Sequence, residues 1–351
     1  MKRLDMAALG VAAMLALCLA SQKAEAADAL HKWKMAASWG GGPLMEIGSK
    51  AFAEKAGLLT DGRVQIEVFP AGKLGPPLEV TKTVREGAAE VGHTWMGLDW
   101  TQDKTAVLFG GFAGSMDPER TIHWLYEGGG LSLWREFREE KFGVVSMPGL
   151  MRTAEVFLHS RKPVRSLADL KGLKVRTAGA WLEIVVSLGA TSVSLPHSEV
   201  KGALAADEID AAEWGTLWEN AGLGVSQITK YVIVPGVHQP VAPFELQFNK
   251  AAWNALSERD KRLIEVAAKL VTLESWIRFG QEDAKALDHY RQAGNEILAL
   301  DDAFQAEAKK AARAWAEEQA KENTWFAKVW KSQQDFEALW KDAPLYRDLR
   351  S

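Results

Sequence analysis

Apolar positions recur along this chain with two different periods, and the switch between them outlines its elements. Val64-Gln-Ile-Glu-Val-Phe69 alternates apolar and polar residues, the mark of a half-buried strand. Trp33 to Trp39 reads as an earlier strand, and Val91-Gly92 as the end of a later one. Between them, Leu44, Ile47, Ala51 and Phe52 share one face of a helix over Pro43–Ala56, and Leu78–Glu86 predicts another. This β-α-β-α order implies a parallel or mixed sheet flanked by helices. Strands are predicted again at Thr153–His159, Leu173–Thr177 and Ile209–Trp214, with a helix at Ala180–Leu188; Val200–Ala206 precedes the last strand. From Ser257 the spacing turns helical and runs without proline to about Ala293. Ser257-Glu-Arg-Asp260 supplies an N-cap serine with an acid three residues on. The aromatic-rich stretch Val329–Leu349 is expected to pack back onto the body.

The first residues have a different character. Lys2 and Arg3 precede an apolar run, Met6–Ala20, and Ala24-Glu25-Ala26 fits the small-x-small rule for cleavage. Residues 1–26 are thus expected to be a secretory signal peptide, with the mature protein exported to the periplasm. About 325 residues would remain, too many for one ordinary core, so two lobes are expected. The second is expected to open near Gly149, with residues 27–149 as lobe I and 150–236 as lobe II. The chain returns to lobe I at about 237–256, and 257–351 form helices across both. Cys18, the only cysteine, lies in the signal segment, so no disulfide is expected afterwards. Net charge is −4 without a basic cluster, which argues against a nucleic-acid partner.

Candidate chemistry concentrates between Leu170 and Trp214. Arg176 closes the short strand Leu173-Lys174-Val175, where a fixed, always charged guanidinium can hold a carboxylate through two parallel hydrogen bonds. Ile209-Asp-Ala-Ala-Glu213-Trp214 ends a second strand with an acid and an indole. A cation, an acid and an aromatic at strand ends suggest a cleft for a small organic acid. The alternatives are a salt bridge from Arg176 to Asp169 or Glu183, and a core role for Trp214. Trp39 follows the first strand, and Asp99 and Trp100 follow Val91-Gly92, where α/β lobes place ligands. Arg152 could add a second cation: two arginines fit a dicarboxylate, one fits a monocarboxylate with a metal. Seven histidines show no paired metal-ligand spacing, and no nucleophile elbow or phosphate loop occurs.

Ser166-Leu-Ala-Asp-Leu-Lys-Gly-Leu-Lys-Val-Arg176, Leu195-Pro196 and Ala203–Trp214 closely resemble the solute receptors of tripartite ATP-independent periplasmic (TRAP) transporters, DctP type. Val68-Phe-Pro-Ala-Gly-Lys-Leu-Gly75, Val84–Gly92, Lys230-Tyr231 and Pro235-Gly236 continue the match from about Trp33 to about Gly294. The resemblance implies an α/β periplasmic binding protein of two lobes, a mixed sheet in each and a long helix spanning both. It implies no enzyme. Such a receptor traps a small-molecule carboxylate by hinge closure and hands it to TRAP permease membrane subunits driven by an ion gradient. Some relatives dimerise through C-terminal helices, which the aromatic-rich end permits as a homodimer.

The resemblance also implies roles. Arg176 would grip the ligand carboxylate, and Trp214 would form an apolar wall. In the subgroup that binds 2-oxo or 2-hydroxy acids, Glu213 contributes to a metal site. Glu155 falls where those relatives carry glutamine, and Gln239, within His238-Gln239-Pro240, falls where they carry glutamate. An exchange of the acid across the cleft would keep the charge for a bridging Na⁺ or Ca²⁺. Glu245 could substitute. The expected metal set is therefore Glu155, Glu213, Trp214, Gln239 and Glu245, and the expected ligand a 2-oxo or 2-hydroxy monocarboxylate. The competing readings are a receptor for a dicarboxylate or an aromatic acid, a receptor serving an ATP-driven transporter or a sensor, and a secreted enzyme using Glu155 or His93 as base.

Overall fold

A computed structural model describes residues 30–195 and 197–347; the expected signal peptide, with Cys18, and Pro196 lie outside the described residues. The strands are β1 (His31–Ala37), β2 (Val64–Phe69), β3 (Val91–Thr94), β4 (Val144–Arg152), β5 (Leu158–Ser160), β6 (Lys174–Arg176), β7 (Thr191–Val193), β8 (Ala211–Ala212), β9 (Tyr231–Val234), β10 (Ala242–Asn249) and β11 (Glu296–Ala299). They form two sheets, ordered β2-β1-β3-β10-β4 and β11-β9-β5-β8-β6-β7. Both are mixed. In the first, β1 runs parallel to β2 and β3, while β10 is antiparallel to β3 and β4. In the second, β6 is parallel to β7 and β8, and β5 is antiparallel to β8 and β9. Each sheet with its helices is one lobe. The expected lobe change at Gly149 falls inside β4, which stays in the first sheet until Arg152 pairs with Ala242.

The helix Glu258–Gln292 has 35 residues, about 52 Å at the usual rise per residue. Ile264, Ala268, Val271, Ser275 and Phe279 recur at three- and four-residue steps and are buried, as are Ala286 and Tyr290 two turns further on. It packs on β4 and on the helix Ala51–Leu59 of the first lobe, and on the helix Leu217–Ala221 and β11 of the second. Ser275 Oγ accepts from the Met151 backbone N–H at 2.9 Å, fixing the helix to β4. Asp283, further along, takes hydrogen bonds from Thr153, between the lobes, and from the Trp218 backbone at 2.8 Å. Ser257 caps the helix by accepting from Asp260 N–H at 3.0 Å, and Asp260 in turn holds Arg63 at 2.8 Å.

Several elements depart from the periodicity. The expected helix over Pro43–Ala56 begins as a π-helix, Leu44–Lys50, before the α-helix Ala51–Leu59. Its Gly48 lies so close under His93 that a side chain there would overlap the imidazole. The expected strands at Thr153–His159 and Ile209–Trp214 shrink to β5 and β8 because their ends are used to cross between lobes and to carry site residues. The helix expected from Ser257 to about Ala293 ends at Gln292, and an unforeseen strand, β11, follows it, parallel to β9. Gly294, at φ +85°, turns the chain, and Asn295 Nδ2 ties the turn to the carbonyls of Ser226 and Thr229.

The last helices join the lobes a second time. Asp302–Glu322 starts on the second lobe, where Phe304 packs against Phe157 at 5.3 Å. Thr324–Leu339 lies on the first, with Gln333 Nε2 donating to Leu108 O at 2.7 Å. Among the described residues no helix is long and apolar enough to cross a membrane. Ser257→Ala should cost about 1 kcal/mol, read as a lower urea midpoint at unchanged slope.

Candidate functional site

The register of the second sheet sets Arg176 against the Glu213 segment. Val175 points into the core while Arg176, one residue on, ends β6, and Glu213 N–H bonds the Arg176 carbonyl at 3.1 Å. The guanidinium is anchored by backbone oxygens: Nε and Nη2 donate to Leu195 O at 3.1 and 3.0 Å, and Nη1 donates to Glu213 O at 2.9 Å. Those bonds take three of its five N–H groups. One further N–H remains on each terminal nitrogen. Glu213 Oε1 stands 3.6 Å from Nη1. Neither alternative partner holds Arg176. Asp169 closes a capping box with Ser166, and Glu183 bonds Lys104 at 2.9 Å and Trp315 at 2.7 Å.

The first lobe supplies Arg152, at the end of β4. Its guanidinium bonds Glu155, on the segment entering the second lobe, and Glu219, on a second-lobe helix, the latter at 2.7 Å, and lies 4.8 Å over the Phe244 ring. Glu155 Oε2 also meets His238 Nε2 at 3.1 Å, and Glu213 Oε2 lies 3.9 Å from the same nitrogen. Arg152, Glu155, Arg176, Glu213 and His238 are each at most 7 % exposed, so their charges interact through little water. Burial raises the Glu155 carboxyl above its ordinary pKa, against the lowering pull of Arg152 and of the His238 hydrogen bond. The loop carrying His238 is stitched to Glu155: Glu155 N–H donates to Gln239 O at 3.1 Å, and a side chain at Gly236 would overlap the Glu155 carbonyl. Glu155, Glu213 and His238 each bring one donor atom within 4.8 Å of the others.

Of the residues expected from the sequence, Arg152, Glu155, Arg176 and Glu213 converge at this junction. Gln239 does not present its amide nitrogen there; Nε2 donates to Gly110 O at 2.8 Å and Val241 O at 3.1 Å, binding the crossing strand to the first lobe. Asp99 and Glu245 belong to a different buried cluster. Arg138 bonds Glu245 Oε2 at 3.0 Å and Asp99 at 2.7 Å, and Thr81, Ser146 and Gln247 add further donors. Trp100 packs beside the first-lobe core with Lys104 6.0 Å from its ring. Trp214 packs against the Val200–Ile209 cluster of the second lobe. Trp39 stands edge-on to Phe244 at 5.1 Å and donates to His93 Nδ1 at 3.1 Å. Trp95, in the loop after Val91-Gly92, crosses to the loop after Arg176, where a side chain at Gly179 would meet it at 3.3 Å. His238 was passed over, although it adjoins Gln239 and its imidazole is the stronger donor.

His93 is buried, with Ser49 Oγ at 2.7 Å from Nδ1, and burial lowers its pKa to about 3; buried His159 is shifted equally. Both stay neutral in the folded protein where the unfolded chain would protonate them. Their contribution is therefore complete above pH 6.5 and lost as pH falls from there toward 3. From pH 7 to pH 5 the loss should be about 2 kcal/mol per histidine, measurable by urea denaturation at the two pH values; His159→Gln should remove about half of the slope.

Two mixed α/β lobes joined by crossing strands and a spanning helix, with an anchored arginine at the junction, define a two-lobed solute-binding receptor. Residues 35–323 match the family of bacterial extracellular solute-binding proteins, family 7 (DctP), and the chain belongs to that family. It is similar to a monocarboxylate 2-oxoacid-binding periplasmic protein of Nostoc sp., 28 % identical over 87 % of this chain and 84 % of the relative. The fold is shared with a TRAP periplasmic solute-binding protein of Colwellia psychrerythraea with bound calcium and pyruvate (TM-score 0.85, 23 % identity, 91 % of this chain and 98 % of the other). It is shared equally with one of Pseudoalteromonas atlantica with bound sodium and pyruvate (TM-score 0.84, 24 % identity, 91 % and 97 %). The expected two-lobe fold and long spanning helix are both present.

Proposed function

We propose that this receptor captures a 2-oxo or 2-hydroxy monocarboxylate in the periplasm and delivers it to TRAP permease membrane subunits. The observation that carries the reading is the unequal commitment of the two arginines. Arg152 bonds the carboxylates of Glu155 and Glu219 directly, whereas Arg176 makes its hydrogen bonds to backbone carbonyls and has one carboxylate, Glu213, at 3.6 Å from Nη1. The less committed arginine suits one carboxylate; a dicarboxylate would need a second cation that Arg152 does not supply. The similarity to the 2-oxoacid-binding protein of Nostoc supports the same class.

The neighbouring acids also fit a cation. The carboxylates of Glu155 and Glu213 are oxygen donors of the kind Na⁺ and Ca²⁺ take, and both ions accompany pyruvate in the similar structures. When bound, the ion would offset negative charge beside the acid. An enzymatic reading finds less support, because His93 is neutral and buried with its Nδ1 engaged by Ser49 and Trp39.

Thermal-shift titration tests this reading, with pyruvate, lactate, branched and aromatic 2-oxo acids and succinate, each with and without Na⁺ or Ca²⁺. A monocarboxylate should raise the Tm, and Arg176→Ala, with its fold checked by circular dichroism, should weaken its binding about tenfold to a hundredfold and lower the ligand-free Tm. A larger shift with succinate, or equal affinity in the variant, would refute the assignment.

A further inference from the structure

Resting on that reading of the junction, we propose that Asp283, on the spanning helix, is a positioning residue for the site. It ties the crossover that carries Arg152 to the second-lobe helix that carries Glu219, and so sets the ion pair between them. The chain leaves the first sheet through Met151, Arg152 and Thr153, and the spanning helix holds the two outer residues. Ser275 Oγ accepts from the Met151 N–H at 2.9 Å. Asp283 Oδ2, about two turns further along the helix, accepts from the Thr153 hydroxyl. Arg152 therefore lies between two tethers to the same helix.

The other oxygen of Asp283 reaches the second lobe. Oδ1 accepts from the Trp218 backbone N–H at 2.8 Å, and the Thr216 hydroxyl also donates to this carboxylate. Thr216 caps the helix Leu217–Ala221, and its own N–H donates to Glu219 Oε2 at 3.1 Å. The same Glu219 oxygen takes Arg152 Nη1 at 2.7 Å. These bonds close a ring: Arg152 to Glu219, Glu219 to the turn Thr216–Trp218, that turn to Asp283, Asp283 to Thr153, and back along the chain to Arg152. Each member of such a network limits the movement of the others. The ring is also tightly packed, since a side chain at Gly215 would stand 2.8 Å from Glu219 Oε2 and 3.2 Å from Arg152 Nη1.

An acid is a costly choice at this helix position. Burial raises the Asp283 carboxyl above its ordinary pKa, against the lowering pull of its three donors. Apolar residues on the same helix face already seat the second lobe. Phe279 stands edge-on to Trp218 at 5.2 Å, Ala286 is buried, and the Tyr290 hydroxyl donates to Leu217 O at 3.2 Å. Asp283 adds direction rather than buried area: it fixes where the crossover and the Glu219 helix stand relative to one another.

The test pairs pyruvate affinity, by titration calorimetry with Na⁺ and Ca²⁺ present, with hydrogen exchange of the ligand-free protein by mass spectrometry. Asp283→Ala should weaken pyruvate binding about threefold to thirtyfold and speed exchange in residues 151–156 and 216–221. Asp283→Asn should restore most of the affinity, because an amide can still accept from Trp218 and donate to Thr153. Combined with Glu219→Gln, Asp283→Ala should weaken binding by well short of the product of the two single losses. Ser257→Ala, which removes the cap at the far end of the same helix, should lower stability and leave pyruvate affinity unchanged. Circular dichroism checks the fold, and if Asp283→Ala does not fold, Thr153→Val carries the same comparison. Unchanged affinity and exchange, or fully multiplicative losses with Glu219→Gln, would overturn the proposal. The two readings fail separately. If pyruvate binds wild type and Asp283→Ala alike, the carboxylate reading stands and the positioning role falls. If no acid binds wild type, the carboxylate reading falls, and exchange in the two segments decides the role of Asp283.

Discussion

Arg152 ends a strand of the first sheet, yet both carboxylates that neutralise it belong to the other side of the junction. Glu155 lies on the segment entering the second lobe, and Glu219 on a helix within it. A buried guanidinium or carboxylate without a partner costs several kcal/mol, so these groups hold their places only while all are assembled. The Phe244 ring beneath the guanidinium completes the seat from the first lobe. With Glu155 fixed by Arg152, His238 is drawn to it; with His238 fixed, Glu213 and Arg176 face the same small space from the second sheet.

The molecule contains two clusters of arginine and acid, and they serve opposite ends. Around Arg138, Glu245 receives donors from the arginine, Ser146 and Gln247, while Asp99 receives them from Arg138, Thr81 and Gln102. Both acids are satisfied by the protein itself, which suits a support that holds the loop of Trp95–Trp100 against the first sheet. At the junction, Arg176 is anchored by backbone oxygens and keeps part of its fork. The difference is in the partners rather than in residue type. Carbonyls fix the Arg176 guanidinium, and the one carboxylate beside it, Glu213, stands back at 3.6 Å.

That distinction explains what could be read from the sequence. Arg176 and the Ser257 cap were legible because each is a local feature: a strand end, and a serine three residues before an acid. The two lobes followed from length, and the long helix from a proline-free periodic run. Glu245 was misplaced because its partner comes from 107 residues away, where no local pattern reports it. A clue was present, since Arg138 shares a helix face with Trp134 and an arginine on an apolar face requires a buried acid. The segment around His238 has no periodicity, so nothing local told which of His238 and Gln239 faces inward. The strand β11 was lost inside a helical composition, and only Gly294 and Asn295 marked the break.

At the far rim of the cleft, Lys104 of the first lobe reaches Glu183 of the second, and Trp315 of a C-terminal helix holds the same carboxylate. Glu183 is thus oriented by an indole as well as by the ammonium. The pair is also substantially solvated, so it contributes at most about 1 kcal/mol. A receptor has to release its cargo as well as hold it. A rim fastened by so weak a contact leaves the holding of the two lobes to the buried groups at the junction.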